Sequence, residues 1–210
     1  MRVMIHACPK RLWYVEEFLA PSIRAQGIDP IIYNDIGELG NLWSFVDSLK
    51  FCTGGGTWHL QDDVIICRDF VTRAAQIEGV ANAFCHINSK DDPLKVGPVY
   101  PPDLWNGFPC VHIPDDMAHE FAAWLTEAKH TSWQDIMIRM GHGDDYLFHE
   151  FFETVHGTEM GYNVGPNLVD HIDWLIGGSV VNEWRGYICR SDLWDDEALV
   201  DELKERIKSR

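Results

Sequence analysis

Short apolar blocks alternate with stretches of helical spacing from the first residues of the chain. Val3 to Ala7 is an apolar run closed by Cys8-Pro9, and Leu12 to Ala25 then carries apolar residues at the 3.6-residue period until Gly27 stops it. Pro30 opens a second run, Ile31-Ile32-Tyr33, which ends in Asn34-Asp35, and an amphipathic stretch follows from Leu42 to Phe51. This is a β-α-β-α opening. Gly54-Gly55-Gly56 punctuates before Thr57-Trp58-His59-Leu60, a predicted strand that runs into Gln61-Asp62-Asp63 and on to the apolar Val64-Ile65-Ile66-Cys67. Asp69 is placed to cap a helix reaching Ile77, and Val80 to Ile87 reads as the next buried strand in a continuing parallel pattern.

Residues 88–110 are rich in Pro, Asp and Gly and predict a long loop, which in a compact domain usually serves function. Helices are predicted from Asp115 to Lys129, from Trp133 to Met140 and from Asp144 to Val155. Short strands near Tyr162 to Val164 and Leu168 to Val169 precede an acidic-to-basic helix from Asp195. There is no internal repeat, low-complexity tract or linker, so residues 1–210 are expected to form one α/β domain.

Composition narrows the setting. A 46% hydrophobic and 24% charged chain is ordinary for a globular domain, and its net charge of −16 repels polyanions at long range, which disfavours nucleic acid and anionic membranes as partners. The basic cluster from Lys204 to Arg210 is offset by acidic neighbours. Six cysteines without a Cys-x-x-Cys pair read as buried, reduced thiols. The N-terminal apolar run is too short for a signal segment and no run approaches a membrane span, which predicts a soluble cytoplasmic protein.

Asp62-Asp63 is the sharpest chemical feature. Two adjacent carboxylates at a strand end repel each other unless a cation sits between or beside them, and a hard divalent ion would serve. A solvated acidic turn is the alternative. A strand-end carboxylate facing a crevice also contributes little to packing, so Asp63→Ala is expected to leave the fold intact. His142-Gly143-Asp144-Asp145 opens a helix and puts carboxylates at the positive end of its dipole, where Asp144 can do no more than cap. Asp170-His171 ends a short strand, from which the imidazole either reaches the same ion or makes a structural hydrogen bond.

In this order the motifs resemble the GT-A glycosyltransferases, whose domain is Rossmann-like with a mixed, mostly parallel central sheet flanked by helices. The family's acidic metal motif is matched by Gln61-Asp62-Asp63, its later acidic motif by Gly143-Asp144-Asp145 and its C-terminal metal-binding histidine by His171. The resemblance implies that Asp63 and His171 ligate Mn²⁺ or Mg²⁺, with Asp62 touching the ion or the donor's ribose or sugar. It further implies a nucleotide-sugar donor, a UDP-sugar first, and Asp145 or Asp144 as the base of an inverting transfer or, in a retaining one, a group that positions the acceptor. Arg11 is then either a diphosphate contact or a surface charge and Asp35 either a ribose or base acceptor or a turn residue, while Trp105 could stack on a sugar or base and the loop at Gly107 would line donor and acceptor. Trp43 is a further exception to the core reading of the tryptophans. Gln61 stands where many members carry Asp, and no acceptor module is visible. The acceptor hydroxyl therefore stays open between a glycan, a protein and a modified base of phage DNA. A metal-dependent phosphohydrolase and a non-catalytic acidic interaction module are the competing classes.

Overall fold

The computed structural model describes residues 1–37, 39–83, 97–98, 109–157, 161–164, 168–176 and 197–209. Strand β1 (Arg2–Ala7) leads into one long helix, α1 (12–25), whose middle turn, Val15–Leu19, widens to a π-helix between the α-helical Leu12–Tyr14 and Ala20–Ala25. Pro21 accounts for the widening, because its ring nitrogen has no proton to donate back and its ring crowds the carbonyl four residues earlier. The chain continues through β2 (Ile31–Asn34), α2 (Asn41–Leu49), β3 (Thr57–Gln61), β4 (Val64–Ile66), α3 (Phe70–Ala74) and β5 (Val80–Asn82). Next come β6 (Gly97–Pro98), β7 (Cys110–Ile113), α4 (Asp115–Glu127) and α5 (Ser132–Met140). Helix α6 (Asp144–Phe151) is prolonged by a π-turn at Phe152–His156. Strands β8 (Gly161–Asn163) and β9 (Val169–His171) and helices α7 (Asp173–Ile176) and α8 (Glu197–Lys208) complete the order.

Among the described residues seven strands form the central sheet in the order β2-β1-β3-β7-β5-β8-β6. Strands β2, β1, β3, β5 and β8 run one way, while β7 and β6 run against them. The sheet is therefore mixed and mostly parallel, as expected, but the parallel pattern does not pass straight from β3 to β5. Antiparallel β7 is inserted between them. Strands β4 and β9 form a separate antiparallel ribbon. The helix expected to reach Ile77 ends at Ala74, and the part of the strand expected beyond residue 83 lies outside the described residues.

Each face of the sheet has its own core. Val3, Ile5, Trp58 and Leu60 pack with Tyr14, Val15, Leu19 and Ile23 of α1 and with β4 and β9. On the opposite face Val111 and Ile113 pack with Leu42, Phe45 and Leu49 of α2 and with Phe121, Phe148 and Phe151 of α4 and α6. Burying each large side chain is worth about 1.5–3 kcal/mol. Helices α1 and α2 lie on opposite faces, and the carboxyl ends of β1 and β3 are where an open α/β sheet of this order places its ligand crevice. No helix among the described residues is long and apolar enough to cross a membrane.

Candidate active site

Strand β3 makes its last rung at Gln61, whose N–H donates to the Pro109 carbonyl at 2.9 Å, and the chain then turns through Asp62 and Asp63 into β4. Three elements converge on that turn. From the loop after β1, the Cys8 N–H donates to Asp62 Oδ2 at 2.6 Å. From the start of α1, the Arg11 guanidinium donates through Nη1 to Asp63 Oδ2, and its Nε lies 3.1 Å from Asp62 Oδ1. From β9, the ladder that pairs Val64 with His171 brings the imidazole Nε2 to 3.2 Å from Asp63 Oδ1. The turn's backbone is fixed as well. Ile172 N–H donates to the Asp63 carbonyl at 2.7 Å and Tyr14 Oη–H to the Val64 carbonyl at 2.7 Å.

The acidic pair is thus neither solvated nor marginal to packing, since Asp62 is 4% and Asp63 5% exposed. The expectation that Asp63→Ala would leave the fold intact is corrected accordingly. Removing one partner of a buried ion pair leaves the other uncompensated. The two carboxyls divide their roles. Burial pushes Asp62 up to about 6, with Arg11 opposing and Asp63 reinforcing the shift. Burial alone would also raise Asp63, but His171 and Arg11 beside it outweigh that and hold it down at about 2. Asp63 therefore carries the charge and Asp62 is the first to take a proton. Burial disfavours the charge on Arg11, yet Asp63 and Asp62 more than restore it and raise its pKa above the ordinary value.

Were an ion to bind here, Asp63 and His171 would offer it one oxygen and one nitrogen ligand, a mixed set that tilts toward Mn²⁺ over Mg²⁺. Asp63 Oδ1 and Arg11 Nε are buried and make no hydrogen bond of good geometry. A buried carboxylate oxygen 3.2 Å from an imidazole nitrogen fits a divalent ion as a partial site. Among the described residues, however, no three His, Cys, Asp or Glu side chains form a metal-holding group. The position a third side would take is filled by Arg11.

The other candidates are held by contacts of their own. Asp35 follows β2, its N–H donating to the Ala7 carbonyl at 2.9 Å while its carboxylate accepts the Leu39 N–H at 3.0 Å. It thus shapes the loop after β2. On that loop sits the turn before α6. Leu42 N–H donates to the Gly141 carbonyl at 3.0 Å, and a Cβ on Gly40 would meet that oxygen at 3.0 Å. Asp144 and Asp145 follow in the first turn of α6. Asp144 is not the cap, because Gly143 holds that place and no side chain caps the helix. Burial first and Asp145 second push Asp144 up to about 7. Asp145 accepts the Tyr146 N–H at 2.9 Å. Trp43 is tied by its indole N–H to the Ile138 carbonyl at 3.1 Å. Trp105 and Gly107 lie outside the described residues, although Pro109 returns the chain to Gln61.

One group escaped the sequence reading. Under the crevice His6 Nε2 and His59 Nδ1 lie 2.9 Å apart, and His59 Nε2 is 3.6 Å from Cys52 Sγ, packed against Phe45. Burial lowers His6 to about 4 and takes His59 well below its ordinary value. The available signal was that each histidine interrupts an apolar strand on the same sheet face.

No family model and no curated protein matches the chain. Solved structures do. The chain superposes on the inositol-1-phosphate CTP transferase from T. maritima with a TM-score of 0.50 at 13% identity, over 99% of this chain and 96% of that one. Looser likenesses are A197 from STIV, with a TM-score of 0.43 at 14% identity over 82% and 86%, and the glycosyltransferase GlyE of Streptococcus pneumoniae TIGR4. The latter gives 0.42 at 13% identity over 78% of this chain and 45% of that one. The fold, a mixed and mostly parallel α/β sheet flanked by helices, is one shared with the CTP transferase.

Proposed function

We propose that the chain moves a sugar from a nucleotide-sugar donor to an acceptor hydroxyl, with Mn²⁺ or Mg²⁺ at Asp63 and His171. The observation that supports it best is the approach of these two side chains at the carboxyl end of β3, beside the crevice where open α/β sheets hold nucleotides. A bound ion would offset charge on the diphosphate leaving group. The chain's own residues do the rest. Arg11 approaches the diphosphate, Asp62 and Asp35 accept from ribose, sugar or base, and Trp105 and Gly107 line the sugar. Asp145 or Asp144 takes the acceptor's proton. A UDP-sugar is the first donor to try, and a cytoplasmic location suits it. The acceptor is a glycan, a protein or a modified base of phage DNA, and the net charge of −16 weighs against the last.

Nucleotidyl transfer to a sugar phosphate is the second reading, favoured by the likeness of fold to a CTP transferase over nearly the whole chain. Thermal shift with UDP-, GDP- and CDP-sugars and nucleoside triphosphates, each with and without Mn²⁺, tests both, and the products separate them. Sugar transfer releases a nucleoside diphosphate and nucleotidyl transfer releases pyrophosphate. Asp63→Asn should erase the Mn²⁺-dependent shift and lower stability by up to about 3 kcal/mol, because Arg11 loses one of its two buried carboxylate partners. Unchanged Mn²⁺-dependent donor binding in that variant would remove Asp63 from the metal site.

A further inference from the structure

We infer that Arg11 is a tethered cation that holds the metal position shut until a nucleotide diphosphate draws it away, so that ion and nucleotide bind together rather than separately. The inference rests on the metal reading above and concerns its order of assembly. The Arg11 guanidinium lies against both carboxylates, bonded to Asp63 and 3.1 Å from Asp62, in the place a divalent cation would take. Two like cations cannot share that place. Yet the guanidinium is incompletely held. Its Nε is buried without a directed hydrogen bond, and so is Asp63 Oδ1, which faces His171. A planar guanidinium donates bidentately to phosphate as readily as to carboxylate, and Arg11 begins α1 beside the crevice, where a diphosphate would lie. Moving Arg11 from carboxylates to phosphate uncovers Asp63 and His171 for the ion. Each ligand must then tighten the other by the same factor.

Isothermal titration with Mn²⁺ alone, and with Mn²⁺ in saturating UDP, on wild type and Arg11→Gln tests this without any turnover. Wild type should bind Mn²⁺ weakly alone and about tenfold or more tightly with UDP, a coupling of ordinary size. In Arg11→Gln, Mn²⁺ alone should bind about tenfold or more tightly than in wild type, and the UDP-dependent gain should shrink. Arg11→Gln leaves the two buried carboxylates with only His171 to offset them. The double variant Arg11→Gln/Asp62→Asn removes one charge of each sign, and it carries the same expectation if the single variant does not fold. Equal binding of Mn²⁺ alone by wild type and variants would overturn the gate while leaving the metal site in place. Absence of Mn²⁺ binding from every protein, with and without UDP, would overturn the metal reading and the gate with it.

Discussion

His6 and His59 show how a residue's environment becomes a property of the fold. Both imidazoles are kept neutral by burial, His6 with a pKa of about 4 and His59 well below its ordinary value, whereas in the unfolded chain each titrates near the ordinary 6.5. Below that pH the unfolded state binds protons that the folded state refuses, so stability falls as pH drops from about 6.5 toward 4. Asp62 acts with the opposite sign, since its raised pKa means that the folded state takes up a proton first as the solution is acidified. A difference measurement therefore isolates the histidine. His6→Gln keeps a hydrogen-bonding group beside His59 but cannot take a proton. Urea denaturation should show wild type losing about 2 kcal/mol more than His6→Gln between about pH 7.5 and about pH 5. Parallel losses would mean that His6 is solvated or already charged in the folded state.

Elements were legible where period decides them and illegible where pairing does. The runs at Val3 to Ala7 and Ile31 to Tyr33 and the helices beginning near residues 115, 132 and 144 carry a repeat that one sequence displays, and they fold where that repeat puts them. Nothing in Cys110-Val111-His112-Ile113 announces an antiparallel strand inserted between β3 and β5, because direction is set by the partner and not by the pattern. The β4–β9 ribbon is only three residues long on each strand, yet it brings His171 to Asp63. Arg11 was placed at the crevice by sequence, but its pairing with both carboxylates depends on the turn at Cys8, where Arg11 N–H donates to the Cys8 carbonyl at 3.0 Å. The α5–α6 turn offers a direct test of element docking. Gly141 has φ +68°, and a Cβ there would stand 3.2 Å from the Leu39 carbonyl oxygen and 3.4 Å from the Trp43 ring. Gly27 has φ +91° with open space around it. Alanine at 27 should cost only the left-handed strain of about 1–2 kcal/mol, and alanine at 141 measurably more. Equal melting points for the two variants would mean that the turn gives way without cost.

Across the whole molecule, two acidic pairs stand on either side of β1 at one edge of the sheet. Asp62 and Asp63 are at β3, while Asp144 and Asp145 are docked on the loop after β2 through Gly40 and Gly141. On a chain of net charge −16 an anionic donor needs local cations, which Lys10, Arg11 and a metal ion would concentrate at the β1–β3 end. The second pair stands in the first turn of α6 and suits proton transfer. Burial and the neighbouring Asp145 hold Asp144 near 7, so the pair carries a proton below neutral pH and loses it as pH rises through about 7. A base must be unprotonated, so turnover should increase with pH through about 7. Replacing Asp145 by Asn keeps its size and a hydrogen-bonding group, removes a basic oxygen, and withdraws the charge that helps to raise Asp144. We expect kcat to fall by about 10²-fold or more while donor affinity barely changes, and whatever turnover is left to show its acid limb at lower pH, now set by Asp144 alone. Asp144→Asn removes the titrating partner itself and should flatten the limb near 7. Full activity with an unmoved pH profile in both variants would leave these carboxylates as first-turn residues favoured by the helix dipole, and would send the search for the base back to the β1–β3 end of the crevice.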